Sequence, residues 1–274
     1  MINKRKRIIT IVIMCLIVIL IMIPIYLLIV TTFKPEAEAA QSPMSLPSEL
    51  YVENYEKAFD AMNYPTALRN NIIVSGGAVV LVIVVSAMAG YVLARKVTRI
   101  TKFMYVAFIA GLMIPFQTLI IPLYKIVSGL GMVNNLIGVI IIMAAMNIPF
   151  TVFLFAGFVK TLPYEVEEAA KIDGCGKFKM FWSIVFPMLK PVVATAAILT
   201  LLSTWNDFIT PLLFLQSREN SVLVLEVFRN IGTFGTDYFS MACSLCLAVA
   251  PLLIVYVFLQ KYIVKGVASG AIKG

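Results

Sequence analysis

Six stretches of this chain are each long and apolar enough to cross a lipid bilayer, which removes most soluble folds from consideration. A helix rises 1.5 Å per residue, so about 20 apolar residues span the hydrocarbon. The stretches are residues 8–30, 71–94, 103–127, 136–159, 191–215 and 241–263. Hydrocarbon offers no water to unpaired backbone groups, so each stretch is expected to be a helix that satisfies its own N–H and C=O groups. The fold class that follows is an all-α membrane protein with six transmembrane helices. Composition agrees, with 61% hydrophobic and 13% charged residues, where soluble domains carry about 25% charged residues. The first stretch follows Lys4, Arg5, Lys6 and Arg7, and Ala37-Glu38-Ala39 could pass for a cleavage site. Its apolar run exceeds the roughly 7 to 15 residues of a signal core, so it is expected to be retained.

Lysine and arginine set the expected orientation. With the N-terminus in the cytoplasm, 16 of the 22 basic residues fall inside, among them Arg95, Lys96, Arg99, Lys102, Lys171, Lys177 and Lys190. Lys34, Lys57, Arg69, Lys125, Arg218 and Arg229 fall outside. Both termini of this multi-pass protein are therefore expected in the cytoplasm. The organisation read from these runs is a basic N-terminus (1–7), a first span (8–30), an extracytoplasmic arm (31–70) and a core (71–274). That core carries a cytoplasmic loop at 161–190 and a tail at 264–274. Within the arm, Pro35, Pro43 and Pro47 suggest an extended course, with a short helix around 51–59.

The net charge of +8 raises the question of nucleic acid, but the basic residues flank apolar runs and form no stripe interleaved with aromatics, so no nucleic-acid partner is expected. Histidine is absent, which removes the commonest general base and metal ligand. Cys15, Cys175, Cys243 and Cys246 describe neither a disulfide framework nor a four-ligand zinc site. No catalytic residue and no bound metal are expected. An enzyme would need Asp, Glu, Cys or Ser groups converging at one depth, and none do.

The loop at 161–190 is a water-soluble island in this oily chain. Pro163 suits a helix start, since its missing N–H has no partner there. Glu165, Glu167 and Glu168 then stand at the positive end of the helix dipole. Ala169 and Ala170 favour helix and add little bulk, and Gly174 suits the left-handed C′ position. A second helix, about 177–186, repeats apolar residues at Phe178, Phe181, Trp182 and Val185 until Pro187 ends it. Two readings remain open on pattern alone: a wedge that inserts into a partner's cleft, or a hairpin resting on lipid headgroups.

The string Glu168-Ala169-Ala170, two residues, Asp173-Gly174, nine residues, Ile184 and then Pro187 resembles the coupling-loop motif of ATP-binding-cassette importer permeases. The resemblance runs over nearly the whole chain, towards carbohydrate importer permeases of the maltose and multiple-sugar type and the smaller maltose-system permease in particular. It is carried by Asn54-Tyr55, the segment Tyr91-Val92-Leu93-Ala94-Arg95, Pro115, Pro122-Leu123, Trp205-Asn206-Asp207-Phe208 and the tail from Gly266 to Gly274. Asn70-Asn71 departs from the Asn-Ser more usual there.

The resemblance implies a type I importer permease fold. It also implies a second permease subunit, two ATP-binding-cassette ATPase subunits and an extracytoplasmic solute-binding protein, with a carbohydrate as solute and membrane lipid around the spans. Glu167, Glu168, Ala169, Ala170, Asp173, Gly174, Ile184 and Pro187 would then couple to the ATPase, and Gly270, Ala271, Lys273 and Gly274 would add a tail contact. The loop 216–240 would receive the binding protein. No Gly-x-x-x-x-Gly-Lys-Ser/Thr occurs, and Gly174-Cys175-Gly176-Lys177-Phe178 lacks the spacing and the hydroxyl of a phosphate loop. ATP and its Mg²⁺ are therefore expected on the partner, with no cofactor bound by this chain.

A carboxylate inside a spanning helix costs about 2.5 to 3.5 kcal/mol on insertion scales, so Asp207 requires a reason. Counted along an unbroken helix from Pro191, it lies about 24 Å from that end. One reading makes Asp207 and Asn206 part of a translocation path or gate, with Pro211 bending the helix beyond them. The other makes Trp205 an interfacial anchor whose neighbours reach water. Asn147 beside Pro149 and Gln117 beside Pro115 pose the same question; helix-to-helix hydrogen bonding accounts for each, and Asn147 stays a candidate for the path. The alternatives to a carbohydrate importer subunit are an importer for another solute and a stand-alone ion-coupled transporter, for which one buried carboxylate without histidine is a thin relay.

Overall fold

The computed structural model describes the backbone of residues 4–233 and 238–271, and the side chains of 6–229 and 241–258. In chain order the helices are α1 (Lys4–Thr32), α2 (Glu36–Gln41), α3 (Glu53–Ala61), α4 (Tyr64–Arg95), α5 (Arg99–Gly111), α6 (Phe116–Gly129) and α7 (Leu136–Val159). They continue as α8 (Glu165–Ile172), α9 (Lys177–Met180), a π-helical turn (Phe181–Val185), α10 (Phe186–Met188), α11 (Lys190–Trp205) and α12 (Ile209–Phe214). A 3₁₀ turn (Arg218–Asn220), α13 (Leu223–Thr233) and α14 (Tyr238–Ala271) complete them. Among the described residues there is no strand.

Four single helices qualify as spans by length and apolarity, at Lys6–Thr32, Tyr64–Arg95, Leu136–Val159 and Met241–Phe258. The other two apolar runs are broken, so the chain has four to six candidate spans. The run expected as one helix over 103–127 is α5 and α6, meeting at 106°. Pro115 accounts for the break, because it lacks an N–H and disfavours helical geometry in the residue before it. Its φ of −64° and ψ of 136° make it the extended N-cap of α6. The run expected over 191–215 stops at Trp205 and restarts at Ile209. Lys177–Met188 meets Lys190–Trp205 at 77°.

The chain divides into two compact units, Met1–Tyr64 with Glu226–Pro251, and Pro65–Leu225 with Leu252–Gly274. The boundary at Tyr64 and the transfer of Glu226–Pro251 to the N-terminal unit differ from the expected core of 71–274. In the first unit α1 is exposed along its apolar length, as a helix bathed in lipid or covered by another subunit is. Its C-terminal carbonyls are the groups a helix leaves unpaired. Asn54 donates from Nδ2 to the carbonyls of Thr32 at 3.2 Å and Lys34 at 2.9 Å. Cys243 Sγ donates to the Thr32 carbonyl at 3.8 Å, and Tyr64 Oη donates to the Leu247 carbonyl at 3.1 Å, which ties α14 at Cys243 and Leu247 into this unit. Lys34, read from sequence as a flanking charge, is fully buried. Its ammonium donates to the carbonyls of Ser42 and Ser45, both at 2.6 Å, and folds the arm back on itself.

The second unit is built around α7, which packs against α5, α11 and α12. One apolar cluster gathers Val74 and Ala78 of α4, Val139, Ile142 and Met143 of α7, and Phe214 of α12. A second joins Ala87 of α4, Phe155 and Val159 of α7, Phe181 and Val185 of the π turn, and Val192 and Ala196 of α11. Lipid is as apolar as these side chains, so close van der Waals fit rather than water exclusion holds such helices together. Gly90 shows the fit: a Cβ there would lie 2.6 Å from Phe155 Cβ and 2.9 Å from the Ala156 nitrogen. Asn70 ties the start of α4 to the turn after α12, donating to the carbonyls of Glu219 at 2.7 Å and Ser221 at 2.9 Å.

Candidate functional site

The polar island forms two short helices joined at Gly174. Helix α8 ends in a Schellman arrangement, with the Cys175 N–H on the Ala170 carbonyl at 2.9 Å and the Gly174 N–H on the Lys171 carbonyl at 3.0 Å. Gly174 has φ +74° and open space where a Cβ would stand, so its requirement is conformational and not steric.

Beyond the glycine, α9 passes into the π turn before Pro187. The Phe186 N–H bonds the Phe181 carbonyl, five residues back. Proline at 187 cannot donate to the carbonyl of Ser183, and a widened turn is the usual accommodation. The expected single helix over 177–186 is thus interrupted. The turn nevertheless keeps Phe181, Val185 and Leu189 on the buried side, packed on α4 and α7. Ile184 is half-buried and Pro187 exposed.

The four neighbouring residues 167–170 divide by face. Glu168 and Ala169 are exposed, whereas Glu167 and Ala170 are buried. Glu167 is only 3% exposed. Its Oε1 accepts from Arg95 Nε at 2.7 Å and its Oε2 from Tyr91 Oη at 2.8 Å. Arg95 also donates from Nη2 to the Leu162 carbonyl at 3.1 Å, just before α8. Its guanidinium stands 5.4 Å from the centre of the Tyr164 ring. Lys171 meets the same tyrosine, donating to its hydroxyl at 2.9 Å, and this bond holds the Lys171 ammonium above its ordinary pKa.

Glu167 was expected to serve the helix dipole and the partner, but its side chain instead fastens α8 to the last turn of α4. Arg95 and Tyr91 were missed as members of this site. The signal was Arg95 at the end of an apolar run, where it reads as a membrane flank. Outward from the clamp, Glu168, Ala169, Asp173 and Gly174 are exposed around Ile172, which is 86% exposed.

A second constellation lies at the break in the fifth run. Asn206 Nδ2 donates to the Leu202 carbonyl at 2.8 Å and so closes α11. Asp207 Oδ1 accepts from the Thr210 N–H at 3.1 Å and Oδ2 from the Thr210 hydroxyl at 2.5 Å, so it opens α12. Aspartate is among the best residues for that task. Pro211 explains why the break falls there, because the ring cannot donate to the carbonyl of Asp207 four residues earlier.

Trp205 is 5% exposed. Asp207 faces a cavity of about 260 Å³ together with Gln117, Asn147, Ser203, Thr204 and Thr210. Asn147 Nδ2 donates within its own helix, to the Met143 carbonyl at 2.9 Å, and among the described residues not across to a neighbour. The structure thus gathers Asn147 and Asp207 on one cavity, with Pro211 buried in α12 and Asn206 exposed beside it. In the tail, Gly270 and Ala271 end α14, while Lys273 and Gly274 lie outside the described residues.

Residues 83–269 match the family model described as "Binding-protein-dependent transport system inner membrane component". The chain is 34% identical to the melibiose/raffinose/stachyose import permease protein MelC of Bacillus subtilis, over 99% of this chain and 98% of that protein. It is 33% identical to the multiple sugar-binding transport system permease protein MsmG of Streptococcus mutans, over 92% of this chain and 91% of that one. Among solved structures it resembles a chain of a bacterial ABC transporter involved in import of the acidic polysaccharide alginate. The TM-score is 0.84 at 20% identity, with 96% of this chain and 99% of that chain covered, a likeness of fold. Apolar spans, a polar two-helix island clamped to α4 and a match over two thirds of the sequence converge: this multi-pass membrane protein belongs to the binding-protein-dependent transport system inner-membrane component family.

Proposed function

We propose that this chain is one of two permease subunits of an ATP-driven importer for a carbohydrate, delivered by an extracytoplasmic solute-binding protein. In this reading α5 with α6 counts as one span and α11 with α12 as another, giving six, and both termini face the cytoplasm. The placement of 16 of 22 basic residues supports that orientation. The carbohydrate assignment draws on relatives described as import permeases for melibiose, raffinose and stachyose, and for multiple sugars.

The single observation that carries the mechanism is the Arg95–Glu167–Tyr91 clamp. It leaves the Glu168–Ile172–Gly174 face outward for a partner while fixing the inward face of α8 to a spanning helix. A separate ATPase, holding ATP and Mg²⁺, docks on the outward face with Ala169 and Asp173 at the contact. Its closure then displaces α8, the clamp hands the displacement to α4, and the apolar cluster around Phe155 and Val192 passes it to α7 and α11. Rigid movement of this kind produces alternating access.

The cavity beside Asn147 and Asp207 forms this chain's wall of the path. At about 260 Å³ it falls just below the roughly 300–1,000 Å³ of small-molecule sites, which fits a path completed by the second permease. A photo-crosslinking residue at Ile172 in the assembled complex tests the docking. The expected product is an adduct with the ATPase subunit; adducts with lipid alone would overturn it. Uptake of labelled raffinose-class oligosaccharides by the complex tests the solute class.

A further inference from the structure

Between the last turns of α4 and the α8–α9 hairpin runs a groove of about 550 Å³. Its α4 wall changes character along one stripe. Met88 and Val92, 39% and 46% exposed, lie one helical turn apart, and the next turn brings Arg95 and Lys96 to the same groove. Lys171 and Lys177 stand on the opposite side. Four basic side chains therefore border the groove with a single carboxylate, Glu167, which is already committed to Arg95 and Tyr91. The side chains of Lys96 and Lys177 have no ion-pair or hydrogen-bond partner among the described residues, so their charge is left for something outside the chain. Phe178, 71% exposed, places an apolar ring beside Lys177.

We propose that this groove binds an anionic phospholipid, its phosphodiester held between Lys96 and Lys177 and one acyl chain lying along Val92 and Met88. A free anion would use the lysines but leave the apolar stripe uncovered. That stripe belongs to the spanning helix Tyr64–Arg95, where hydrocarbon is at hand. The inference rests on placing this end of α4 at the cytoplasmic surface, where anionic lipids collect. The headgroup touches the basic rim around the clamp, so bound lipid stiffens the joint through which α8 is held to α4.

The test uses the intact importer complex in nanodiscs of phosphatidylcholine carrying a trace of spin-labelled phosphatidylglycerol or spin-labelled phosphatidylcholine, read as the relative association of the two labels. The unmodified complex selects the anionic label. A lysine near an anionic lipid surface supplies about fivefold in association, so Lys96→Ala/Lys177→Ala lowers the selectivity by at least about fivefold. Lys96→Arg/Lys177→Arg retains it. No anionic selectivity in the unmodified complex, or equal selectivity in the alanine variant, overturns the proposal. So does displacement of the label by inorganic phosphate at matched ionic strength, which would mark a free-anion site. Loss of the ATPase subunit from the alanine variant with lipid selectivity unchanged would assign the groove to protein docking instead. Because the readout is lipid association and not uptake, it stands or falls separately from the Ile172 crosslink.

Discussion

Two carboxylates, Glu167 in the polar island and Asp207 at the break in the fifth apolar run, are stationed in opposite ways. Glu167 takes its hydrogen bonds from Arg95 and Tyr91, 72 and 76 residues away in sequence. Asp207 takes both of its hydrogen bonds from Thr210, three residues on. The first arrangement joins two elements and can transmit a displacement. The second fixes only its own turn and leaves a charge facing a cavity, with no ion pair among the described residues. Their energies should differ accordingly. Removing one partner of a buried ion pair strands the other at a cost of about 3–5 kcal/mol, whereas losing a helix cap costs about 1 kcal/mol.

That contrast can be broken in order of size. Glu167→Ala should destabilise the island by about 3 kcal/mol, because Arg95 is left without its anion. Limited proteolysis between α8 and α9 would report it, and Arg95→Ala in the same chain should recover part of the loss. Gly174→Val should cost about 1–2 kcal/mol locally, since a β-branched residue resists φ +74°. Membrane insertion should stay intact while ATP-driven uptake fails; normal uptake would remove Gly174 from the coupling site.

Asp207→Ala should cost about 1 kcal/mol in thermal unfolding and Asp207→Asn almost nothing, because asparagine caps as well. Uptake then separates cap from path: loss in the asparagine variant shows that the charge matters to the solute. Smallest is Glu38 in the arm, whose carboxyl Ser48 holds below its ordinary value through two hydrogen bonds. A lowered value means that the bond's contribution is present above about pH 4.5 and fades as pH falls through the lowered value. The protection factor of the Ser48 amide against hydrogen exchange should fall on acidification, and Glu38→Gln should abolish the change.

Several of these features were legible before the structure. The apolar runs located the helices, and helix chemistry placed Gly174 at C′, because propensity and capping are local properties. The rest depended on contacts that sequence spacing does not carry. Glu167 and Glu168 are adjacent and chemically alike, and only the position of Arg95 beside α8 decides which one turns inward. Asp207 was measured along an unbroken helix, although Pro211 already marked its carbonyl as unpaired. Pro115 likewise marked the third run, but hydrophobicity has no term for a 106° bend. Lys34 gave no sign of burial, since its partners are backbone carbonyls of Ser42 and Ser45, which every residue possesses.

The claim that the clamp carries the motor's movement is tested most directly by the ratio of solute imported to ATP hydrolysed in proteoliposomes containing the Glu167→Gln complex. Glutamine keeps the shape and removes the charge that holds Arg95. The account predicts that hydrolysis continues while the ratio falls by at least about tenfold, the effect of roughly 1.4 kcal/mol of lost coupling. A ratio equal to that of the unmodified complex would contradict it.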